Sequence, residues 1–241
     1  MRIWRAAAIA GALLALAGCW TSKTAVLTAD NSVQVSGVYE GRYCHAENKL
    51  APPQVAVAFA ISDSLGENHC RDLRFDPATR RYVDGLSPNT IFRIGDTNGP
   101  LHLLQVQTSS AALARFAPIV VVDGMFIQFD PAGTWPDGLV EASGLTLDSE
   151  GVLNTADPER VAELLHRAVA LAIERFRHDV VYIEDDAGPR LAFLDLNTAY
   201  SYIVYVREDW NGKAAEMQHA MLAVANRLGL DKLDGPRVAP D

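Results

Sequence analysis

The spacing of hydrophobic residues changes about two thirds of the way along the chain. From Gly37 to Leu147, short apolar runs alternate with turn residues, the pattern of an antiparallel sheet. Gly37–Cys44 carries aromatics behind turn residues, and Val55–Ile61 alternates large and small apolar side chains. Asp76-Pro77-Ala78-Thr79 predicts a turn between Leu73–Phe75 and Tyr82–Val83. Asp96-Thr97-Asn98-Gly99-Pro100 does the same between Ile91–Ile94 and Leu101–Val106. Asp123-Gly124, flanked by Ile119–Val122 and Met125–Phe129, is a strong hairpin signal.

Helical spacing begins near Asp157, a good N-cap followed by Pro158 at the first helical position and Glu159 at the positive end of the helix dipole. Val161, Leu164, Leu165, Ala168, Ala172, Ile173 and Phe176 form one apolar face. Strands are predicted at Val180–Ile183 and Leu191–Leu196, around a turn at Asp186–Pro189, and at Ala199–Val206. A second helix over about 212–228 carries Ala214, Met217, Met221, Val224, Ala225 and Leu228 on one face, and Gly229 closes it. The expected fold class is α+β: a sheet-rich N-terminal two thirds, then two amphipathic helices with intervening strands. The folded region is expected over 36–230, with a possible subdivision near 148–156 and a flexible tail at 231–241. Ile94–Pro100 and Ile183–Pro189 share the pattern I-x-D-x-x-G-P, which fits either a related pair of hairpins or repeated use of one good turn.

The first residues have a different character. Arg2 and Arg5 precede an uncharged stretch from Ala6 to Gly18, about thirteen residues and well short of the roughly 20 that span a bilayer as a helix. The stretch ends in Leu16-Ala17-Gly18-Cys19. Charge, apolar run, small residues and cysteine together resemble the signal and lipobox of bacterial lipoprotein precursors. That resemblance implies removal of residues 1–18 and diacylglycerol on the Cys19 thiol, usually with acylation of the new amine. Two or more chains give stable anchoring where one is marginal. It further implies the cell envelope and, because Trp20 rather than Asp follows the cysteine, the outer membrane facing the periplasm. An ordinary secretory signal and a spanning anchor are the alternatives. Residues 19–35 show no clear period and read as a tether between lipid and domain.

Removal of 1–18 leaves 223 of the 241 residues, with 19 basic against 30 acidic side chains, a balance of −11. No Lys/Arg run offers a nucleic-acid or anionic-lipid surface, so nucleic acid is not an expected partner. With Cys19 assigned to lipid, Cys44 and Cys70 remain. An even pair in an oxidising compartment reads as a disulfide. Free buried thiols or a metal site using neighbouring His45 and His69 are the alternatives. The metal reading is disfavoured because adjacent strand residues point to opposite faces.

No nucleophile elbow, H-E-x-x-H, phosphate loop, dinucleotide fingerprint or C-x-x-C occurs. No catalytic residue, metal site or cofactor is assigned. Glu184, Asp185, Asp186 and Asp195 could gather around calcium but read more simply as a solvated turn. His166 and His178 stand about 120° apart on an ideal helix and cannot ligate together. Tyr200, Tyr202, Tyr205 and Trp210 could line a stacking groove, although an aromatic core is the simpler reading. The expected function is a non-catalytic, lipid-anchored envelope protein acting through a protein partner or envelope scaffold. A periplasmic hydrolase or carbohydrate-modifying enzyme and a small- or lipidic-ligand binder are the alternatives.

Cys19→Ala is expected to abolish acyl labelling and leave the precursor unprocessed or misprocessed. Normal labelling and normal mature mass in that variant would rule the anchor out.

Overall fold

The computed structural model describes residues 20–46, 57–59, 65–108, 113–130, 135–136, 138–186, 188–193, 201–210 and 214–234, so Cys19 lies outside the described residues. Among the described residues, nine strands precede the helices: β1 (Trp20–Ser22), β2 (Gly41–Ala46), β3 (Val57–Phe59), β4 (Leu65–Asp76), β5 (Arg81–Asp84), β6 (Thr90–Asp96), β7 (His102–Thr108), β8 (Ala114–Val122) and β9 (Met125–Asp130). A short α1 (Leu139–Ala142) and a long α2 (Pro158–Asp179) follow. The chain then runs through β10 (Val180–Glu184), β11 (Arg190–Phe193), β12 (Ser201–Arg207), α3 (Ala214–Leu228) and β13 (Lys232–Asp234).

Period-two alternation in the first sheet wraps round on itself. The order β8-β7-β6-β5-β4-β2-β12-β9 is antiparallel throughout, and β9 pairs back onto β8, so eight strands close a barrel. Tyr43, Leu73, Tyr82, Phe92, Ile94, Leu104, Ile119, Val121, Phe126 and Tyr205 fill its interior. The opposite parity on β7, β8, β9 and β12 (Leu103, Phe116, Val120, Ile127, Phe129, Val204 and Val206) faces outward into the main core. There it meets α2 and α3, with Phe129 and Phe176 rings 4.4 Å apart. A four-stranded sheet, β13-β10-β11-β3, packs on the same helices.

The helices form where their spacing places them. The Asp157 carboxylate accepts from the backbone N–H groups of Glu159 and Arg160, and Val161, Leu164, Leu165, Ala168, Val169, Ala172 and Phe176 are buried. Gly229, at φ 64°, ends α3, and the Leu230 N–H returns to the Ala225 carbonyl at 3.0 Å. The Asp123-Gly124 hairpin joins β8 to β9 through Val122↔Met125, with Gly124 at φ 73°. Both I-x-D-x-x-G-P segments join antiparallel strand pairs, but in different sheets and with different loop registers.

A sheet-rich α+β chain is therefore what the structure shows, with finer features that differ from expectation. The sheet is not confined to the first two thirds, because β12 sits inside the barrel between β2 and β9. The core runs unbroken through Leu145, Leu153 and Val161, so the chain does not divide near 148–156. Lys232–Asp234 is not a loose tail but pairs parallel with β10.

The largest correction concerns the tether expected over 19–35. Trp20–Ser22 pairs with the first residues of β8, and Trp20 is 4% exposed. Beyond it the chain straps the barrel. The Gln105 side chain, 1% exposed on β7, accepts from the N–H groups of Val26 and Leu27 and donates to the Leu27 carbonyl at 3.1 Å. Leu27 packs against Gly95, where a Cβ would lie 2.7 Å from the Leu27 Cδ2 atom. Val35 and Val38 then enter the barrel's interior cluster. The segment lacks a period because each residue meets a different surface, not one repeating face.

Cys44 and Cys70 form a disulfide as directly opposed residues of β2 and β4, with Cα atoms 4.0 Å apart. The turn residues of Asp63–His69 predict a turn ending at Cys70, but Cys70 lies within β4. The next pair in register is His45↔Gly66, so residues 67–69 form an excess on β4 immediately beyond the bridge. The crosslink holds the two strands where their ladder is interrupted.

Reduction, or Cys44→Ser, is expected to lower stability by roughly 3.5 kcal/mol from loop closure alone. Thermal melts with and without reductant, beside non-reducing peptide mass analysis, read this out. An unchanged melting temperature would remove the structural role.

Candidate functional site

Two places in the described structure can be weighed as sites: the barrel interior and an open cleft at one end of β8.

The interior is occupied by the protein's own side chains. It leaves a cavity of about 20 Å³ beside Arg71, Tyr82, Phe92 and Phe126, room for no more than about one water and far below the volume of a small-molecule site. Its polar groups serve one another. Asp84, 1% exposed, accepts from the backbone N–H groups of Asp72 and Leu86, both at 3.0 Å. It also accepts from Arg71 Nη1 at 3.3 Å. The Arg71 guanidinium lies 4.9 Å from the Phe92 ring and 5.7 Å from that of Tyr205. Burial raises the pKa of Tyr43 and Tyr82, so both stay neutral as hydrogen-bonding groups. The Tyr43 hydroxyl ties to the backbone of Tyr39, and that of Tyr82 accepts from the Val35 N–H. Interior polarity thus fixes the strap and does not face a vacant site.

The exterior of β4, β5 and β6 carries Asp72, Arg74, Arg81 and Arg93. On these three strands the outward face is charged, unlike the apolar outer band of a barrel that crosses a bilayer, while the apolar outward face of β7, β8, β9 and β12 is covered by the helices. Among the described residues, no helix is long and apolar enough to span a membrane.

The cleft has about 240 Å³ of space and is lined by Tyr39, Asp123, Gly124, Arg207, Asp209, Trp210 and Glu216. Three separate elements assemble it: the end of the strap, the β8–β9 hairpin and the exit from β12 into α3. The Arg207 guanidinium stands 5.5 Å from the Tyr39 ring, and its Nε donates to Asp209. That hydrogen bond raises the Arg207 pKa, so the group is always charged. The Tyr39 hydroxyl donates to Asp123 Oδ1 at 3.3 Å, and the residue is 47% exposed. Three carboxylates and one cation give an acidic recess with two aromatic walls.

The residues singled out from sequence are dispersed. His166 and His178 are exposed on α2. Asp185 is forked onto Arg190 at 2.6 and 2.5 Å, while Glu184 is bound by Lys232 and Gln218. Asp195 and Tyr200 lie outside the described residues. Tyr205 stacks on Phe126 inside the barrel, 4.6 Å between rings, so it shares no groove with Trp210. Among the described residues no three His, Cys, Asp or Glu side chains converge as a metal site. Tyr39 and Asp123 were legible only as members of a strand and a turn, and Arg207 lay just beyond the strand expected over Ala199–Val206.

Set beside known proteins, the chain matches no family model, no curated relative and no solved structure.

One titrating group is built into the barrel wall. His102 pairs across strands with Asp96 and Ile119, and both ring nitrogens are shielded and without hydrogen-bond partners. Burial lowers its pKa below 6.5, opposed by nearby Asp96. The unfolded chain therefore takes up this proton before the folded one does. The group's contribution is complete above about pH 6.5 and is lost as pH falls through the lowered folded pKa. The parent is expected to lose melting temperature faster than His102→Gln on acidification below that value. Parallel acid profiles for the two proteins would refute it.

Proposed function

We propose that this is a lipid-anchored protein of the bacterial cell envelope that acts without catalysis, through a protein partner that engages the Tyr39–Trp210 cleft. The observation that supports this most directly is the contrast between the two candidate sites. Among the described residues the interior leaves about 20 Å³ of empty space, too little for a lipidic or small ligand, whereas the cleft is open, aromatic-walled and acidic. An exposed Tyr beside Trp and Arg is the composition of an interface centre. The cleft already accommodates a guanidinium over Tyr39, so a Lys or Arg side chain on the partner fits its chemistry. Anchoring rests on the lipobox-like Leu16–Cys19, and outer-membrane placement on Trp20.

A second reading draws on the same cleft. Asp123, Asp209 and Glu216 beside two aromatic rings are residue types that also serve carbohydrate chemistry. Turnover of a glycoside, peptide or ester by chain lacking 1–19, lost in Glu216→Gln, would move the conclusion to an enzyme.

For the preferred reading, a photo-crosslinking residue at position 39 in intact cells is expected to give a discrete adduct that disappears when Trp210→Ala is added. The same residue at Leu171, exposed on α2, is expected to give none. Equal adducts at both positions, or none at 39, would overturn the cleft as the docking site.

A further inference from the structure

We infer that the domain has no tether, so that lipid on Cys19 seats the β1–β8 side of the barrel directly on the bilayer headgroups and holds the cleft away from them. The inference rests on the anchoring reading and adds an orientation to it.

Trp20 follows Cys19 immediately and is already part of the fold. It pairs with Phe116, lies 4% exposed and stacks on Trp135 with ring centroids 5.4 Å apart and planes 11° apart. The residues behind it are held from a second side. The Leu153 N–H donates to the Thr21 carbonyl at 3.1 Å, and the Lys23 N–H donates to the Leu153 carbonyl at 3.3 Å. Thr24 Oγ1 donates to the Thr155 carbonyl at 2.5 Å. One peptide unit spans about 3.8 Å between Cα atoms, so that is all the slack between lipidated residue and buried strand. A tether of the length of 19–35 would let the domain rotate freely; a strand bonded on two sides does not.

The cleft lies elsewhere on the same strand. Asp123 is seven residues beyond Phe116 along β8, about 23 Å at strand rise. Membrane side and docking side are therefore different parts of one rigid body.

The test uses the full lipidated chain in phosphatidylcholine vesicles containing a headgroup spin-labelled phospholipid, which quenches nearby tryptophan emission. Trp4 leaves with residues 1–18, so Trp20, Trp135 and Trp210 are the emitters. In Trp210→Phe, emission from Trp20 and Trp135 is expected to fall strongly with the labelled lipid. The difference between parent and Trp210→Phe, which reports Trp210, is expected to be little quenched. A Gly/Ser insert of about 20 residues between Cys19 and Trp20, reaching about 25 Å, is expected to relieve the quenching. Unquenched Trp20 and Trp135 on a chain whose mass shows the lipid would overturn the seating and leave anchoring intact. Quenching that survives the insert would assign contact to surface adhesion and overturn it equally. A chain without acyl mass on Cys19 would overturn the anchoring reading and this inference with it.

Discussion

Closure of the barrel depends on β12. It is hydrogen-bonded to β2 on one side and β9 on the other, with Tyr205 opposite both His45 and Phe126. Without it, β2 and β9 would each present an open edge, the arrangement that invites pairing with other chains. The strand comes from the C-terminal third, after α2 and the β10–β11 hairpin, so the ring closes only through a contact distant in sequence. Such contacts carry loop-closure cost before they return stability. The Cys44–Cys70 bridge offsets part of that cost, because it fixes β2 to β4 beside the irregular register where the ladder alone is interrupted.

A closed barrel of eight strands has an interior that must be filled, and what fills it decides what the fold can do. Here aromatic rings from β2, β5, β6, β9 and β12 meet at the centre, with Arg71 paired to Asp84 among them. Removing one partner of such a pair leaves a charge in an apolar setting, which makes the pair a constraint on packing more than a source of net stability. The barrel is thereby committed to being a rigid body, and the open cleft among the described residues lies at its rim. The cleft exists where strap, hairpin and the β12–α3 connection leave the barrel wall.

Local structure was legible in the sequence and long-range closure was not. The Asp123-Gly124 hairpin, the Asp157 cap, the Gly229 stop and the apolar face of α2 are each written within a few residues, and each is where the pattern placed it. The disulfide followed from the expected compartment, the even pair of cysteines and a bend back towards Cys44, although the approach is made by paired strands and not by a turn at Cys70. Nothing local, by contrast, says that Ser201–Arg207 inserts between β2 and β9, because its alternation is the same whichever strands flank it. The strap was missed for the opposite reason: its fixed points are single residues, Gln105 for Val26 and Leu27, and Gly95 for Leu27. The cleft combines residues 39, 123, 207, 210 and 216, which come together only after the ring has closed.

The strap also unites roles that a tether would have kept apart. Between Trp20 and Tyr39 the chain pairs with β8, satisfies Gln105, contributes Val35 and Val38 to the interior and ends as a wall of the cleft. Tyr39 is placed there by its backbone bonds to the Tyr43 hydroxyl, itself buried in the barrel. Any displacement of Trp20 therefore runs along bonded backbone to the core before it reaches the cleft. Loosening β1 would remove Trp20 from Trp135 and release the first turn of the strap, but Val33 and Val35 remain bonded to Ile94 and Tyr82 beyond it. Two separate sets of contacts thus stand between the first described residues and the cleft. The bonds to Tyr43 that hold the cleft's Tyr39 wall are independent of the contacts that pack Trp20 into the fold.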